Sequence, residues 1–337
     1  MALEKRVLGK TRLEVSVVGF GGIPLQRVDR DTARELIHRA SDLGMNFIDT
    51  ARGYTVSEEL IGHALKGCRE KWIIATKSTA RTYASMKSDV EISLRNLQTD
   101  YIDLYQFHLV KTHEQFDEIM GEDGAYRALQ EAQKEGKIGH IGFTTHDLGM
   151  LEKAIDSGYF STVQFPYNII ENQGEKLFEK AKAAHIGVIA MKPLAGGAIE
   201  EGSLALRYIL ENPHVTTVIP GMDHIKQVEE NGAVGNERLK ITDVEREKIQ
   251  KIARELGENF CRRCGYCGPC PQGVDIPTQF ILEGYYLRYE LQDWARERYV
   301  ALAKNAKDCV QCGICEPKCP YHLPIRKMLE RVKENLS

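Results

Sequence analysis

Eight short β-rich runs alternate with helical segments between residues 1 and 257, and this alternation constrains the fold more than any other feature of the sequence. Alternating strands and helices are typical of a parallel sheet, because each helix carries the chain back to the start of the next strand. Eight such units in about 250 residues predict an α/β fold of the (β/α)8 TIM-barrel type. The β-rich runs are residues 15–21, 47–51, 72–77, 101–109, 140–145, 162–167, 187–192 and 216–220.

A doubly wound Rossmann fold is the main alternative for such an alternation. Its G-x-G-x-x-G fingerprint should follow the first strand and open a helix. The sequence has Gly19, Gly21 and Gly22 there, without the third glycine or a helix at the required distance. The pattern therefore favours the barrel.

The cysteines divide the chain near residue 257. Cys68 stands alone, and an ordinary cysteine that binds no metal is expected there, whereas the other eight cysteines lie between Cys261 and Cys319. Tight, regular spacing predicts a metal site rather than disulfides. We therefore expect a barrel over residues 1–257 and a small α-helical dicluster domain over residues 258–337.

The eight clustered cysteines form two runs, each followed by proline. The second is the bacterial ferredoxin pattern C-x2-C-x2-C-x3-C-P, and the first is shorter by one residue. In such pairs of runs the fourth cysteine binds the neighbouring cluster. This predicts one 4Fe–4S cluster on Cys261, Cys264, Cys267 and Cys319, and another on Cys309, Cys312, Cys315 and Cys270. Zinc is the alternative, since four cysteines in C-x2-C pairs also build structural zinc sites.

The segment between the two runs has helical periodicity. Its expected apolar face consists of Phe280, Ile281, Tyr285, Leu287 and Leu291. The tail is therefore predicted to be helical rather than a β-hairpin ferredoxin.

Polar residues lie at the ends of three predicted barrel strands, where TIM barrels carry their chemistry. They are Asp49 with the nearby Tyr54, then Lys77, then His108. A lysine beside a tyrosine lowers the phenol pKa from its reference value of about 10, which makes the tyrosine a proton donor near neutral pH. Asp49 would keep Lys77 charged, and neutral His108 could bind a carbonyl oxygen. Each residue alone is more often structural, but four at these offsets indicate a catalytic set.

These motifs resemble the aldo-keto reductase superfamily. The matching segments are F-I-D-T-A-x-x-Y at residues 47–54, A-T-K at 75–77, Y-I-D-L-Y-Q-x-H at 101–108 and G-K-I-G-x-I-G-F-T at 136–144. The resemblance implies that Tyr54 is the proton donor, that Lys77 and Asp49 tune it and that His108 positions the carbonyl. The cysteine-rich tail is similar to the iron–sulfur-containing branch of that superfamily.

The resemblance also implies a nicotinamide nucleotide bound without a glycine-rich phosphate loop. Gly196 and Gly197 match the loop that covers the pyrophosphate in relatives, and a flexible turn without that role is an equal alternative for them. Met191 stands where many relatives have an aromatic residue that stacks on the nicotinamide. The nucleotide would be bound by Thr144, Gln164, Met191, Lys192, Leu194, Gly196, Gly197, Pro220, Gly221, Gln227, Glu230 and Asn231.

The preference between NAD and NADP is open. Relatives that prefer NADP have a lysine and an arginine where this sequence has Gly221 and Gln227. Loss of two cations removes charge-assisted hydrogen bonds, each worth about 1.5–3 kcal/mol. Lys226 is adjacent and could compensate.

We therefore expect an oxidoreductase that transfers a hydride between NAD(P)H and a carbonyl or alcohol substrate, with two 4Fe–4S clusters that could relay electrons. One alternative is a redox-neutral enzyme of the dehydratase or epimerase type that retains its nucleotide. The other is a nucleotide-binding subunit for electron transfer or interaction. The clusters themselves could instead be structural.

Charge and hydropathy limit the partners. The net charge is −3 and the pI about 6.4, so no basic field favours nucleic acid. No run approaches the roughly 20 apolar residues of a membrane helix, and the N-terminal residues lack an apolar signal core. We expect a cytoplasmic protein with a small-molecule substrate, for which a ferredoxin or another redox protein is a candidate partner.

Overall fold

The computed structural model describes residues 3–235, 240–263 and 265–337. The chain forms two compact units. The first comprises residues 1–168, 172–193 and 202–240, and the second comprises residues 169–171, 194–201 and 241–337.

An eight-stranded parallel sheet forms the centre of the first unit, and its strands neighbour one another in chain order from β3 to β10. Parallel bridges from Val18 to Val218 and from Gly21 to Gly221 join the two ends of the sheet, and the Gly19 amide donates to the Val218 carbonyl at 2.8 Å. The sheet is therefore closed, and the predicted (β/α)8 barrel is confirmed. Its strands are β3 (Phe20–Gly21), β4 (Phe47–Asp49), β5 (Ile73–Ser78), β6 (Ile102–Phe107), β7 (Ile138–Thr144), β8 (Thr162–Pro166), β9 (Gly187–Met191) and β10 (Thr217–Val218).

The first predicted run, residues 15–21, is wrong as a single strand. It divides between β2 (Glu14–Ser16), which forms an antiparallel hairpin with β1 (Lys5–Val7), and the barrel strand β3. Side chains replace the ladder hydrogen bonds at the break. Asn46 Oδ1 accepts from the Ser16 amide at 2.7 Å, and Ser16 Oγ donates to the Val18 carbonyl at 2.7 Å.

The barrel helices present apolar residues to the sheet and begin at polar caps. In α1, for example, Leu36 and Ile37 are completely buried, and the Asp29 carboxylate accepts from the Thr32 amide at the N-terminus. The helices of this unit are α1 (Arg30–Asp42), α2 (Ser57–Ala64), α3 (Tyr83–Leu97), α4 (His113–Met120), α5 (Ala125–Lys134), α6 (Leu148–Ser157), α7 (Glu175–Ala183), α8 (Gly202–Glu211) and α9 (Ile225–Val234).

The second unit is helical, as predicted, and has its own apolar core. Its helices are α10 (Asp243–Gly257), α11 (Ile276–Arg288), α12 (Gln292–Val300) and α13 (Ile325–Leu336). Phe280, Tyr299 and Val332 are buried in this core. The buried Glu283 carboxylate of α11 accepts from Arg331 of α13 at 2.8 and 2.7 Å, so a charged pair joins these two helices.

The predicted apolar face of the tail helix is wrong in part. Leu287 is 48% exposed, whereas Gln279 and Glu283 are buried. The polar side chains tolerate burial because their hydrogen bonds are made: Gln279 Oε1 accepts from the Ala306 amide at 3.1 Å. In addition, α11 ends at Arg288 and α12 begins at Gln292, so the segment forms two helices rather than one continuous helix.

Candidate functional site

Two charged side chains form a buried pair where β4 and β5 end. Lys77 Nζ donates to Asp49 Oδ1 at 2.5 Å and to the Thr50 carbonyl at 2.8 Å. Only 1% of Lys77 and 3% of Asp49 are exposed. Because parallel strands end at the same edge of the barrel, residues 28 positions apart in sequence meet there.

Two glutamines also donate hydrogen bonds to the Asp49 carboxylate. Gln106 Nε2 donates to Oδ2 at 3.1 Å, and Gln164 Nε2 donates to Oδ1 at 3.4 Å. Gln106 was not predicted as a site residue. Gln106 lies near the end of β6, two residues before His108, but this position does not show which group its side chain contacts. The aspartate is thus fixed from several strands.

Tyr54 and His108 lie beside this pair. Lys77 Nζ is 5.1 Å from the centroid of the Tyr54 ring. The ring centroids of Tyr54 and His108 are 5.9 Å apart, with the rings perpendicular. The turn that carries the tyrosine is fixed by backbone hydrogen bonds, from the Tyr54 amide to the Ala51 carbonyl and from the Ser57 amide to the Tyr54 carbonyl. The structure therefore brings together the four residues that the sequence suggested as a catalytic set.

Burial lowers the pKa of both basic groups of the site, but the neighbouring charges shift the two pKa values in opposite directions. Burial lowers the pKa of Lys77, while the carboxylates of Asp49 and Glu58 oppose this shift. Burial lowers the pKa of His108 well below its ordinary value of 6.5, and the cations Lys77, Arg81 and Lys192 lower it further. His108 is therefore neutral at pH 7 and can donate one ring N–H to a substrate oxygen.

Glu58 is a second buried carboxylate that the sequence analysis missed. It accepts from Thr76 and Ser93 hydroxyls, both at 2.8 Å, and from Arg52 and Asn96 at 3.1 and 3.2 Å. It joins the turn after Asp49 to β5 and α3. Its place in the first turn of a helix was the only sequence signal, and acidic residues are common there for helix capping alone.

Several expected nucleotide-binding residues already have intramolecular partners. Thr144 Oγ1 accepts from the Leu109 amide at 2.9 Å, and Gln164 contacts both Asp49 and the Met191 sulfur, the latter at 3.8 Å. The Lys192 carbonyl accepts from Asn168 at 3.0 Å. The bond to Thr144 leaves the second lone pair of its hydroxyl oxygen for a further contact.

Three of the expected nucleotide-binding residues, Gln227, Glu230 and Asn231, lie on α9. Gln227 Oε1 accepts from the Asp223 and His224 amides at 2.8 and 3.2 Å, so this side chain caps the helix. Exposed Glu230 lies 3.7 Å from Lys226, and Asn231 is buried.

Gly221, which follows buried Pro220, has no room for a side chain. A Cβ atom there would lie 2.6 Å from Cγ of Pro24, a rigid ring. The lysine of NADP-preferring relatives therefore cannot replace Gly221 without movement of Pro24.

Leu194, Gly196 and Gly197 belong to the second unit. The two glycines have φ angles of +69° and +81°, which favour glycine. The Gly196 carbonyl accepts from Arg288 Nε at 2.9 Å, and a Cβ atom at Gly196 would lie 3.0 Å from the Tyr289 ring. Gly196 is thus favoured both by its backbone angle and by close packing against Tyr289, whereas Gly197 is favoured by its backbone angle alone.

The cysteines of the second unit line two cavities. Cys264 lies outside the described residues, and within the described part of the chain no three histidine, cysteine or acidic residues are grouped as for a single metal ion. The first cavity is lined by Cys261, Cys267 and Cys319. The second is lined by Cys270, Cys309, Cys312 and Cys315, with Cys267 also at its wall.

The residues that line the two cavities fit iron–sulfur clusters in their chemistry. Each combines thiols with apolar side chains, among them Phe280 and Leu323 in the first and Val274 and Leu329 in the second. Cys319 lies with the first run and Cys270 with the second, so the fourth cysteine of each run is placed beside the other run. Such an apolar, thiol-lined space suits a cluster held by cysteine thiolates.

Within the residues that the structure describes, none of the helices combines the length and the apolar character that crossing a bilayer requires.

Comparison with known proteins finds a matching family model for each of the two parts of the chain. The aldo/keto reductase family model matches residues 17–204, and a 4Fe-4S dicluster domain model matches residues 260–324. L-galactose dehydrogenase of Arabidopsis thaliana is 30% identical over 301 residues, which covers 74% of this chain and 93% of that protein. The aldo-keto reductase YhdN of Bacillus subtilis is 30% identical over 229 residues, covering 62% and 67% of the two chains.

Among solved structures, the holo form of an aldo-keto reductase from Bacillus halodurans matches with a TM-score of 0.66 at 29% identity. The match covers 74% of this chain and 96% of that one. The closed parallel barrel, the cysteine-lined helical unit and these matches lead to one conclusion: the chain belongs to the aldo/keto reductase family, as an oxidoreductase with a C-terminal 4Fe-4S dicluster domain.

Proposed function

We propose that the protein transfers a hydride between NAD(P)H and a carbonyl or alcohol substrate, with Tyr54 exchanging the proton. The observation that carries this proposal is the buried Lys77–Asp49 pair, with Lys77 Nζ 5.1 Å from the Tyr54 ring. A binding module would have no need of a buried cation beside a phenol.

Each residue of the set has a separate role. In the reductive direction Tyr54 donates its hydroxyl proton to the substrate oxygen as that oxygen gains negative charge. Lys77 stabilises the resulting phenolate, and Asp49 holds the ammonium group in place. Neutral His108 donates a hydrogen bond to the same substrate oxygen. The bound nucleotide supplies the hydride.

The nucleotide would be held by residues of β7 to β9 and by the loops that follow them. We assign the nicotinamide amide to Thr144 and Gln164, and the adenine to Glu230 and Asn231. Met191, Lys192, Leu194, Gly196, Gly197, Pro220, Gly221 and Gln227 complete the proposed set.

We propose two 4Fe–4S clusters in a domain that begins at residue 258, after α10. Cys261, Cys264, Cys267 and Cys319 would bind one, and Cys309, Cys312, Cys315 and Cys270 the other. Anaerobically purified protein should contain about eight iron and eight sulfide per chain. About four of each would indicate one cluster, and zinc without sulfide would refute the assignment.

The role of Tyr54 is tested with Tyr54→Phe, which removes the proton donor and keeps the ring. With NADPH and 4-nitrobenzaldehyde as probes, single-turnover hydride transfer followed by nucleotide absorbance should slow by about 100-fold or more. Nucleotide affinity measured by fluorescence should stay within a few-fold of the wild type.

Tyr159→Phe is the matched control, because Tyr159 is 51% exposed and lies outside the set. It should leave the rate unchanged. A rate for Tyr54→Phe close to that of the control would remove Tyr54 from the mechanism.

A further inference from the structure

The cysteines of the two cavities differ in their access to solvent. Among the described cysteines of the first cavity, Cys267 and Cys319 are buried, with 9% and 6% exposed. No cysteine assigned to the second cavity is buried, and Cys312 is exposed. Cys312 therefore brings the cysteine wall of the second cavity to the surface.

Apolar side chains surround Cys312 at that surface. Val310 is 61% exposed and Ile314 is 46% exposed, and both line the second cavity. Pro269 and Gln272, on the loop from the first run, are also exposed and line it. We name these four residues and Cys312 the rim. Exposed aliphatic residues grouped at a functional cavity are typical of a surface that contacts another protein.

The C-terminal segment that carries Val310, Cys312 and Ile314 is cationic although the whole chain is negative. Residues 301–337 contain seven lysines and arginines against four acidic residues, while the chain as a whole has a net charge of −3. Lys318 Nζ lies 3.5 Å from the Gly268 carbonyl, on the rim loop. Arg326 lines the cavity itself.

Two acidic residues next to the second cysteine run are paired with cations. Asp308 accepts from Lys304 at 2.9 Å, and Glu316 accepts from Arg326 at 2.9 Å. Within the described part of the chain, Lys307, Lys318 and Lys327 form no ion pair with a carboxylate. Among the other charged residues of the segment 301–337, Lys307, Lys318, Lys327 and Lys333 outnumber Glu330 and Glu334, which leaves a net positive charge on the segment that carries Val310, Cys312 and Ile314.

We propose that the rim is the docking surface for a small acidic ferredoxin, which passes single electrons to the cluster assigned to Cys270, Cys309, Cys312 and Cys315. The proposal rests on the cluster assignment made above. In each encounter one electron leaves the reduced iron of the ferredoxin and reduces one 4Fe–4S cluster, and no bond or proton changes. The lysines attract the acidic partner, and the apolar rim excludes water at the point of contact.

A second copy of this chain fits the surface less well. A symmetric dimer places the same patch on both sides of the interface, so the three lysines of each copy would face each other. A weak, small interface with an oppositely charged partner is the usual arrangement for electron transfer between proteins.

The test is reduction of the anaerobic, iron-loaded full chain by a dithionite-reduced plant-type 2Fe–2S ferredoxin, followed by stopped-flow absorbance and freeze-quench EPR. The triple variant Lys307→Glu, Lys318→Glu, Lys327→Glu should lower the second-order rate at low salt by at least tenfold. Its rate should also lose most of its dependence on ionic strength. Iron and sulfide content should equal that of the wild type.

The matched control is the triple variant Lys134→Glu, Lys176→Glu, Lys182→Glu. It makes the same change in net charge at exposed lysines of α5 and α7. Its rate should fall less than twofold. Equal losses in the two triple variants would mean that net charge alone steers the encounter, and would overturn the docking proposal.

Two further results separate the possible failures. Iron-loaded protein whose reduction rate is unchanged in the rim variant refutes docking and leaves the cluster assignment intact. Protein without iron and sulfide refutes both. If sedimentation shows a wild-type dimer that the rim variant loses while the reduction rate is unchanged, the surface binds a second copy instead. Tyr54→Phe should accept electrons at the wild-type rate, so loss of hydride transfer does not affect this test.

Discussion

Removal of the Asp49 charge should destabilise the barrel far more than removal of an exposed carboxylate. Lys77 is 1% exposed, and its ammonium group donates to Asp49 and to one backbone carbonyl. Asp49→Asn keeps the shape of the side chain but leaves a buried cation without its counter-ion.

The magnitude follows from the burial of both groups. Loss of one partner from a buried ion pair costs about 3–5 kcal/mol. For a unit of about 200 residues each kcal/mol lowers the melting temperature by roughly 2–4 °C, so the midpoint should fall by about 6–20 °C. Lys77→Met should cost less, because the Asp49 carboxylate would still accept from Gln106 and Gln164.

The two tryptophans allow the barrel to be followed separately. Trp72 lies in the barrel and is 2% exposed, whereas Trp294 lies in α12 of the second unit. In a Trp294→Phe background, urea unfolding followed by fluorescence therefore reports Trp72 alone. Asp49→Asn, Lys77→Met and the double variant complete a thermodynamic cycle.

The control is Glu152→Gln, which breaks an ion pair with Lys180 in which the side chains are 54% and 41% exposed. It should change the free energy of unfolding by less than about 1 kcal/mol. The double variant should be more stable than the sum of the single effects predicts, by about 2 kcal/mol or more. A cost below about 1 kcal/mol for Asp49→Asn, or additivity within about 0.5 kcal/mol, would refute the reasoning.

Three further predictions concern other parts of the barrel. The pKa of His108 in the folded protein lies well below 6.5, so the unfolded chain binds this proton first as the pH falls, and the stability that neutral His108 contributes above pH 6.5 is lost below it. In urea titrations at several pH values, His108→Gln should therefore flatten the dependence of the free energy of unfolding on pH below 6.5. An unchanged slope would contradict this prediction. Glu58→Gln should lower the free energy of unfolding by about 1.5–3 kcal/mol through weaker charge-assisted hydrogen bonds, while Glu59→Gln, at an exposed neighbour, should have little effect. Fluorescence titration should show NADH binding at least as tightly as NADPH; a preference for NADPH above 100-fold, about 2.7 kcal/mol, that disappears in Lys226→Ala would assign the missing cation to Lys226.

Local patterns were sufficient for much of the architecture. The alternation of β-rich and helical segments predicted the barrel because each β/α unit is short and its periodicity is visible within about 30 residues. The two cysteine runs predicted an iron–sulfur domain for the same reason, since three ligands of a cluster lie within seven positions of the sequence.

Long-range contacts were not visible in the same way. Glu58 and Gln106 gave no usable signal, because their importance depends on contacts with Ser93 and Asp49 from distant elements. The break in the first predicted strand has a similar origin: Asn46 takes the hydrogen bond of Ser16, and no pattern within residues 15–21 reveals it.

Residue types and their spacing show which chemical groups are present and at which strand ends they lie. The electrostatic state of these groups depends on the fold, since burial lowers the pKa of Lys77 and of His108 and involves every element packed around them. The fold also decides that Cys312 reaches solvent while Cys267 and Cys319 do not. The physical reason is that residue type and spacing are local properties, whereas desolvation and solvent access are set by atoms distant in the chain.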